Sequence, residues 1–233
     1  AAEGAPNGAV AVADEQTAGR GRRGRSFSSG AGRGVYLSAL LRPRLSPKKV
    51  LPLTALGAVA ACNAVERACG VRPQIKWTND LVLNGKKLSG TLTELSLEGE
   101  SGALDYAVIG IGVNCNNARE DFPPELRDIA TSLCLETGRR VCRAALAAAL
   151  IEELDGLYAA LQGGDTAAYF AAYRRDCLTL GREVQLLWQD AREKVTALDV
   201  DEQFGLVVQH EDGRVETVRT GEVSVRGLYG YVE

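Results

Sequence analysis

Gly19-Arg20-Gly21-Arg22-Arg23-Gly24-Arg25-Ser26-Phe27-Ser28-Ser29-Gly30-Ala31-Gly32-Arg33-Gly34 sets five arginines and six glycines in sixteen residues, with no acidic side chain among them. The run has no apolar face to bury, so it belongs to no core, and its glycines let the backbone come close to a ligand. Guanidinium groups pair with carboxylate or phosphate oxygens through parallel hydrogen bonds, and glycine-turn N–H groups add an anion nest. Composition alone leaves a disordered RNA-binding tail or a merely solvated loop as open as a ligand loop. The flanks decide between them. Gly8-Ala9-Val10-Ala11-Val12-Ala13-Asp14 reads as a small-residue strand, and Gly34-Val35-Tyr36-Leu37-Ser38-Ala39-Leu40-Leu41 as an apolar strand ending at Arg42-Pro43. A basic glycine loop between two buried strands is expected to hold a small anion.

The chain has 233 residues, 45% of them hydrophobic and 24% charged, with a net charge of −3. That length allows one large domain and a small one with ample core. The acidic balance argues against general polyanion binding and makes the basic loop a local feature. No apolar run reads as long enough to span a membrane and no signal peptide is visible, so a cytoplasmic location without a membrane partner is expected. The six cysteines, at 62, 69, 115, 134, 142 and 177, form no Cys-x-x-Cys pair. The single histidine, His210, sits beside Glu211-Asp212-Gly213, a polar turn. A zinc site and a histidine-based nucleophile are therefore not expected. The thiols read as reduced, with Cys62 and Cys69 lining a buried helix face. With no Met and a start at Ala1-Ala2, the chain reads as a processed or truncated product.

Ser46-Pro47 opens a helix that is expected to run to Cys69, where Gly70 stops it. Asn84-Gly85, between Leu81-Val82-Leu83 and a strand from Lys86 to Leu95, is a strong hairpin signal. Asp105 to Val113 is an apolar run suited to a central strand. Residues 142–176 are helical in character, broken at Gly163-Gly164 with Asp165-Thr166 as a cap. Short strands follow over 182–188, 193–200, 204–209 and 214–219. The fold class read from this order is α+β. A mixed sheet packed on one side by helices occupies 1–179, and a small SH3-like β-barrel, leaning on its neighbour for stability, occupies 180–233.

Four segments stand in one order: Gln16 with the arginine-glycine loop, Lys76-Trp77-Thr78-Asn79-Asp80, Lys86-Lys87-Leu88-Ser89-Gly90-Thr91-Leu92-Thr93-Glu94, and Ile109-Gly110-Ile111-Gly112-Val113-Asn114. In order and spacing they resemble the catalytic and C-terminal domains of the biotin protein ligases, the biotin–[acetyl-CoA-carboxylase] ligases. The resemblance implies ATP and biotin as substrates, Mg²⁺ as the metal, and biotinyl-5'-AMP as the intermediate. The acceptor it implies is a lysine on a biotin carboxyl carrier domain. Lys87 and Arg22 are implied as catalytic residues. Gln16, Arg20, Gly21, Arg22, Lys87 and Gly90 are implied at the biotin and adenylate. Arg25, Phe27, Asn79, Asp80, Gly112 and Asn114 are implied at ATP, with Asp80 a candidate Mg²⁺ ligand and Gly110 a second close-approach glycine.

Two positions depart from the family pattern: Thr78 stands for its usual proline, which is expected to loosen the turn, and Phe27 for its tryptophan. The family's Ser-Thr-Asn segment is expected upstream of residue 1, and no winged-helix DNA-binding domain is read in this chain; a homodimer stays open. Taken singly, Lys87 is an ordinary hairpin lysine, Asp80 a turn residue, Phe27 an exposed hydrophobe and Gly110 a strand-packing glycine. Glu94 reads as a strand-end charge. Two other readings compete, a lipoate or octanoate ligase of the same broad fold and a non-catalytic nucleic-acid-binding module.

Overall fold

A computed structural model describes residues 1–24, 26–188, 191–219 and 224–227. The chain order is β1 Val10–Ala13, β2 Gly34–Leu41, α1 Pro47–Val50, α2 Leu53–Cys69, β3 Gln74–Lys76, β4 Asp80–Leu83, β5 Lys86–Leu97 and β6 Leu104–Asn114. Then come α3 Leu133–Thr137, α4 Arg143–Gly163, α5 Ala167–Asp176, β7 Glu183–Trp188, β8 Ala191–Val200, β9 Leu206–His210, β10 Val215–Val218 and β11 Ser224–Gly227. The first six strands form one sheet in the order β1-β2-β6-β5-β4-β3, and the last five another in the order β10-β9-β8-β7-β11.

The α+β class holds, with one change. The first sheet, expected to be mixed, is antiparallel in every ladder, because its strands are joined by hairpins and a returning helix. Among the described residues, parallel pairing occurs only in the isolated bridges Ile75 to Cys177 and Lys87 to Ala130. The central strand read from the apolar run is β6, paired with β2 on one side and β5 on the other. At the β4–β5 turn Asn84 has φ 48 and Gly85 φ 77, the two positive values that a two-residue hairpin needs.

Three local expectations change. The helix expected from Ser46 to Cys69 is two helices, because Pro52 has no N–H to continue the ladder and its ring crowds the preceding turn. Gly70 does close α2, in the left-handed conformation at φ 73. The strand before the arginine loop is exposed throughout, since β1 lies at the sheet's edge with β2 as its strand neighbour. Pro47–Cys69 is, by length and composition, apolar enough to cross a membrane, contrary to the reading above. It is a core segment: 67% of its apolar window is buried, and α2 packs on β5, β6 and α4.

α2 lies close on the sheet because its inner face is small. A Cβ on Gly57 would stand 2.4 Å from Ile109 Cδ1 and 3.2 Å from Thr91 Cγ2. Alternation along β6 then fixes the two faces: Ile109, Ile111 and Val113 are buried in the core, leaving Gly110 and Gly112 on the opposite face. One continuous buried cluster runs from β2 through α2 and α4 to Tyr173 and Phe204, and on into the second sheet. All six cysteines are free thiols; Cys62 is buried as expected, and Cys69, in the last turn of α2, only half so.

Candidate functional site

On the face of the first sheet away from α2 lies a cavity of about 600 Å³. Its floor is made of residues with little or no side chain, Gly90, Gly110, Gly112 and Ser38. Above Gly110 there is room, since an added Cβ would meet nothing nearer than 3.8 Å. Gly112 is different. A Cβ there would fall 2.7 Å from the Phe27 ring, so the missing side chain is what lets Phe27 lie against the sheet, edge-on to Tyr36 at 6.4 Å.

Four cations line the cavity, Arg20, Arg22, Lys76 and Lys87, and two of them, Lys87 and Arg22, come from different walls. Lys87 Nζ lies 2.8 Å from Asp80 Oδ1, with its side chain 31% exposed. Its backbone is pinned from both sides, Lys87 N donating to Ile129 O and Lys87 O accepting from Thr131 N, each at 2.8 Å. Arg22 comes from the loop and donates to Asn79 Oδ1 at 2.7 Å. Asn79 is held in turn: its Nδ2 donates to Thr91 O at 2.8 Å. The loop's outer end is tied by an exposed pair, Arg20 to Glu94 at 3.2 Å. Such a pair contributes only about 0–1 kcal/mol, weak enough to break when a ligand enters.

The structure brings together Gln16, Arg20, Gly21, Arg22, Phe27, Asn79, Asp80, Lys87, Gly90, Gly112 and Asn114, all on the cavity wall. Arg25 lies outside the described residues. Asn114, expected at the adenine, is buried, and its amide nitrogen already donates to Thr131 O at 3.0 Å. Its oxygen and its second amide N–H are left to meet a ligand. Asp80 is the candidate metal ligand, and among the described residues no group of three or more His, Cys, Asp or Glu side chains could hold a metal ion. Thr78 Oγ1 is buried and has no partner among the described residues. The turn's main chain is held by neighbouring side chains, Trp77 N donating to Thr179 Oγ1 and Thr78 O accepting from Tyr173 Oη, each at 3.0 Å.

Sequence reasoning missed part of the wall. Lys76, 8% exposed, lines the cavity from the end of β3, and Glu94, read as a bystander, is the partner of Arg20. Lys76 had a signal, its place at the head of the Lys-Trp-Thr-Asn-Asp motif. Phe122, Leu126 and Ile129 add an apolar wall from the segment after β6. They had none, since that segment carries no periodicity. His210 also differs. Its side chain is 2% exposed, sealed between Glu193 at 2.5 Å and Glu216 at 2.9 Å, because β8 and β10 flank β9 and cover it.

The description of the Biotin/lipoate A/B protein ligase family matches residues 2–114. Over 93% of this chain, the sequence is 33% identical to 79% of the biotin--[acetyl-CoA-carboxylase] ligase of Mycobacterium tuberculosis. The chain belongs to the biotin protein ligase family. Among solved structures of the family, the Aquifex aeolicus biotin protein ligase in complex with biotin and ATP superposes with a TM-score of 0.81 at 30% identity, over 96% of this chain and 91% of that one. The bifunctional ligase/repressor BirA of Bacillus subtilis is 47% identical over 60% of this chain, a match spanning 42% of BirA's own length.

Proposed function

We propose that the cavity activates biotin with ATP and then transfers the biotinyl group to a lysine of a biotin carboxyl carrier domain, as in acetyl-CoA carboxylase. In the first step a biotin carboxylate oxygen attacks the α-phosphorus, the bond to the β-phosphate oxygen breaks, and pyrophosphate leaves. In the second, the lysine amine attacks the acyl carbon, losing a proton, and AMP leaves. The observation that carries this reading is the meeting of Lys87 and Arg22, from separate elements, over one glycine floor.

The difficulty of the first step is electrostatic: an anion must approach a phosphate that is itself negative. Cations held at the cavity wall lower that barrier, because they meet the charge where it develops in place of bulk water. Lys87, a compact ammonium on a flexible stem, can leave Asp80 and follow charge from carboxylate to phosphate. Arg22 would clamp the adenylate from the loop side, and the apolar wall of Phe122, Leu126 and Ile129, with Phe27, suits a flat base.

Mg²⁺ usually takes one or two protein carboxylates together with substrate phosphates, and a cavity offering Asp80 fits that donor set. Bound there, the ion would neutralise phosphate charge. We further propose a boundary between the two domains at about residue 180, where the chain passes from the first sheet's helices to the second sheet. A cytoplasmic location is supported by the six free thiols and the buried packing of α2.

The test is exchange of labelled pyrophosphate into ATP with Mg²⁺. Exchange that depends on biotin supports the proposal. Exchange that depends on lipoate or octanoate instead, or salt-sensitive RNA binding without exchange, overturns it.

A further inference from the structure

The turn that carries Asn79 and Asp80 is held from behind by side chains that do not line the cavity. Segment 75–78 runs beside 177–179: Leu178 N donates to Ile75 O at 2.9 Å, and Trp77 N donates to Thr179 Oγ1 at 3.0 Å. One turn back on α5, Tyr173 Oη donates to Thr78 O at 3.0 Å. Tyr173 is fully buried, and its ring meets Phe204 edge-on at 4.9 Å. Burial, helped by neighbouring Cys177, raises its phenol well above the ordinary range, so the hydroxyl stays a donor.

Thr78 O belongs to the same rigid peptide plane as Asn79 N and the Asn79 Cα. Fixing that oxygen fixes where the Asn79 side chain starts. Thr91 N holds the other side of the residue, donating to Asn79 O at 3.0 Å, while the Thr78 hydroxyl makes no bond among the described residues. Asn79 in turn receives Arg22 and, through Nδ2, reaches Thr91 O and Asp80 Oδ1.

We infer that Tyr173 is a positioning residue for the nucleotide-binding turn, its hydroxyl setting the 78–79 peptide plane and, through it, Asn79 and Asp80, with Thr179 holding the 76–77 plane. This rests on the reading of the cavity as a site for biotin and ATP. It adds a role for α5, which contributes nothing to the cavity wall.

The experiment uses the full chain with Tyr173→Phe, which keeps the ring against Phe204 and removes only the donor. ATP binding is measured by calorimetry without biotin, and the KM values for ATP and biotin by pyrophosphate exchange. A net hydrogen bond of ordinary strength corresponds to a roughly three- to tenfold change. ATP is therefore expected to bind about three- to tenfold more weakly, with the biotin KM within about twofold of wild type. Thr179→Val should move ATP the same way, and Thr179→Ser, which keeps the acceptor, should restore it.

A merely structural role would lower melting temperature and active fraction without separating the two substrates. Unchanged ATP binding in folded Tyr173→Phe, or an equal loss for both substrates, overturns the inference. Should Tyr173→Phe fail to fold, the Thr179 pair decides by the same criteria. Exchange driven by another acid in the wild type would sink the biotin reading yet leave the calorimetric test of Tyr173 standing.

Discussion

Two charged clusters in this protein use similar residues to different ends. In the cavity, Lys87 faces Asp80 and Arg22 faces Asn79, with the Lys87 and Asp80 side chains still 31% and 21% exposed. In the second sheet, both ring nitrogens of His210 meet carboxylates, Glu193 and Glu216, with Arg214 beside them, and the ring is 2% exposed. The first cluster leaves each cation a partner that an incoming anion can replace. In the second the imidazole is buried and only its partners reach water, Glu193 at 39% and Glu216 at 35% exposed, so the ring serves the fold. Access, more than residue type, separates a reactive cluster from a structural one.

The largest expected effect comes from removing the cavity's ammonium. Lys87→Ala should slow adenylate formation at least tenfold and by about a hundredfold if the full value of one fixed donor, about 3 kcal/mol, is lost. Its melting temperature should stay near wild type, because a half-exposed hairpin lysine supports no core. Arg22→Gly should act next, loosening the loop over the intermediate; released biotinyl-adenylate would then label bystander lysines several-fold more than wild type, read by blotting with streptavidin.

The sealed cluster should show the reverse pattern. His210→Gln should leave exchange kinetics unchanged and lower stability by about 0.5–1.5 kcal/mol, the net worth of an ordinary hydrogen bond, because the carboxylates it leaves are partly exposed. The pH dependence has a definite sign. Glu193, against the opposing effect of burial and with help from Glu216, raises the His210 imidazole above its ordinary 6.5. A raised basic group stabilises the fold fully below its unfolded value and loses that contribution as pH climbs through the folded one. Thermal melts should therefore show stability falling above about pH 6.5 in the wild type, with that part of the slope absent in His210→Gln. The smallest effect is expected at the loop's outer tie: Glu94→Gln should cost under about 1 kcal/mol of stability, because its partner Arg20 is exposed.

Legibility in the sequence followed the range of the forces involved. The Asn84-Gly85 hairpin and the Gly70 stop are set by backbone dihedrals within a few residues, and they stand where the letters place them. The arginine-glycine loop was readable because its composition excludes burial. Which side chains share the cavity depended on four motifs in order, and the sheet's register brings those together. The exposure of β1 was not readable, because small apolar residues suit both an edge and a core strand. Phe122, Leu126 and Ile129 are brought to the cavity by long-range contacts such as the backbone pairing of Lys87 with Ile129 and Thr131, across more than forty residues with no local signature. The burial of His210 is of the same kind, set by strands on either side of it.

The central claim is that one cavity seats two anions against Lys87 and Arg22. A crystal structure of the protein with biotin and a non-hydrolysable ATP analogue tests it most directly. Both ligands are expected over Gly90, Gly110 and Gly112, with Lys87 Nζ turned from Asp80 to within hydrogen-bonding distance of the biotin carboxylate. A structure with either ligand bound elsewhere, or with Lys87 still paired to Asp80 and remote from both, would contradict it.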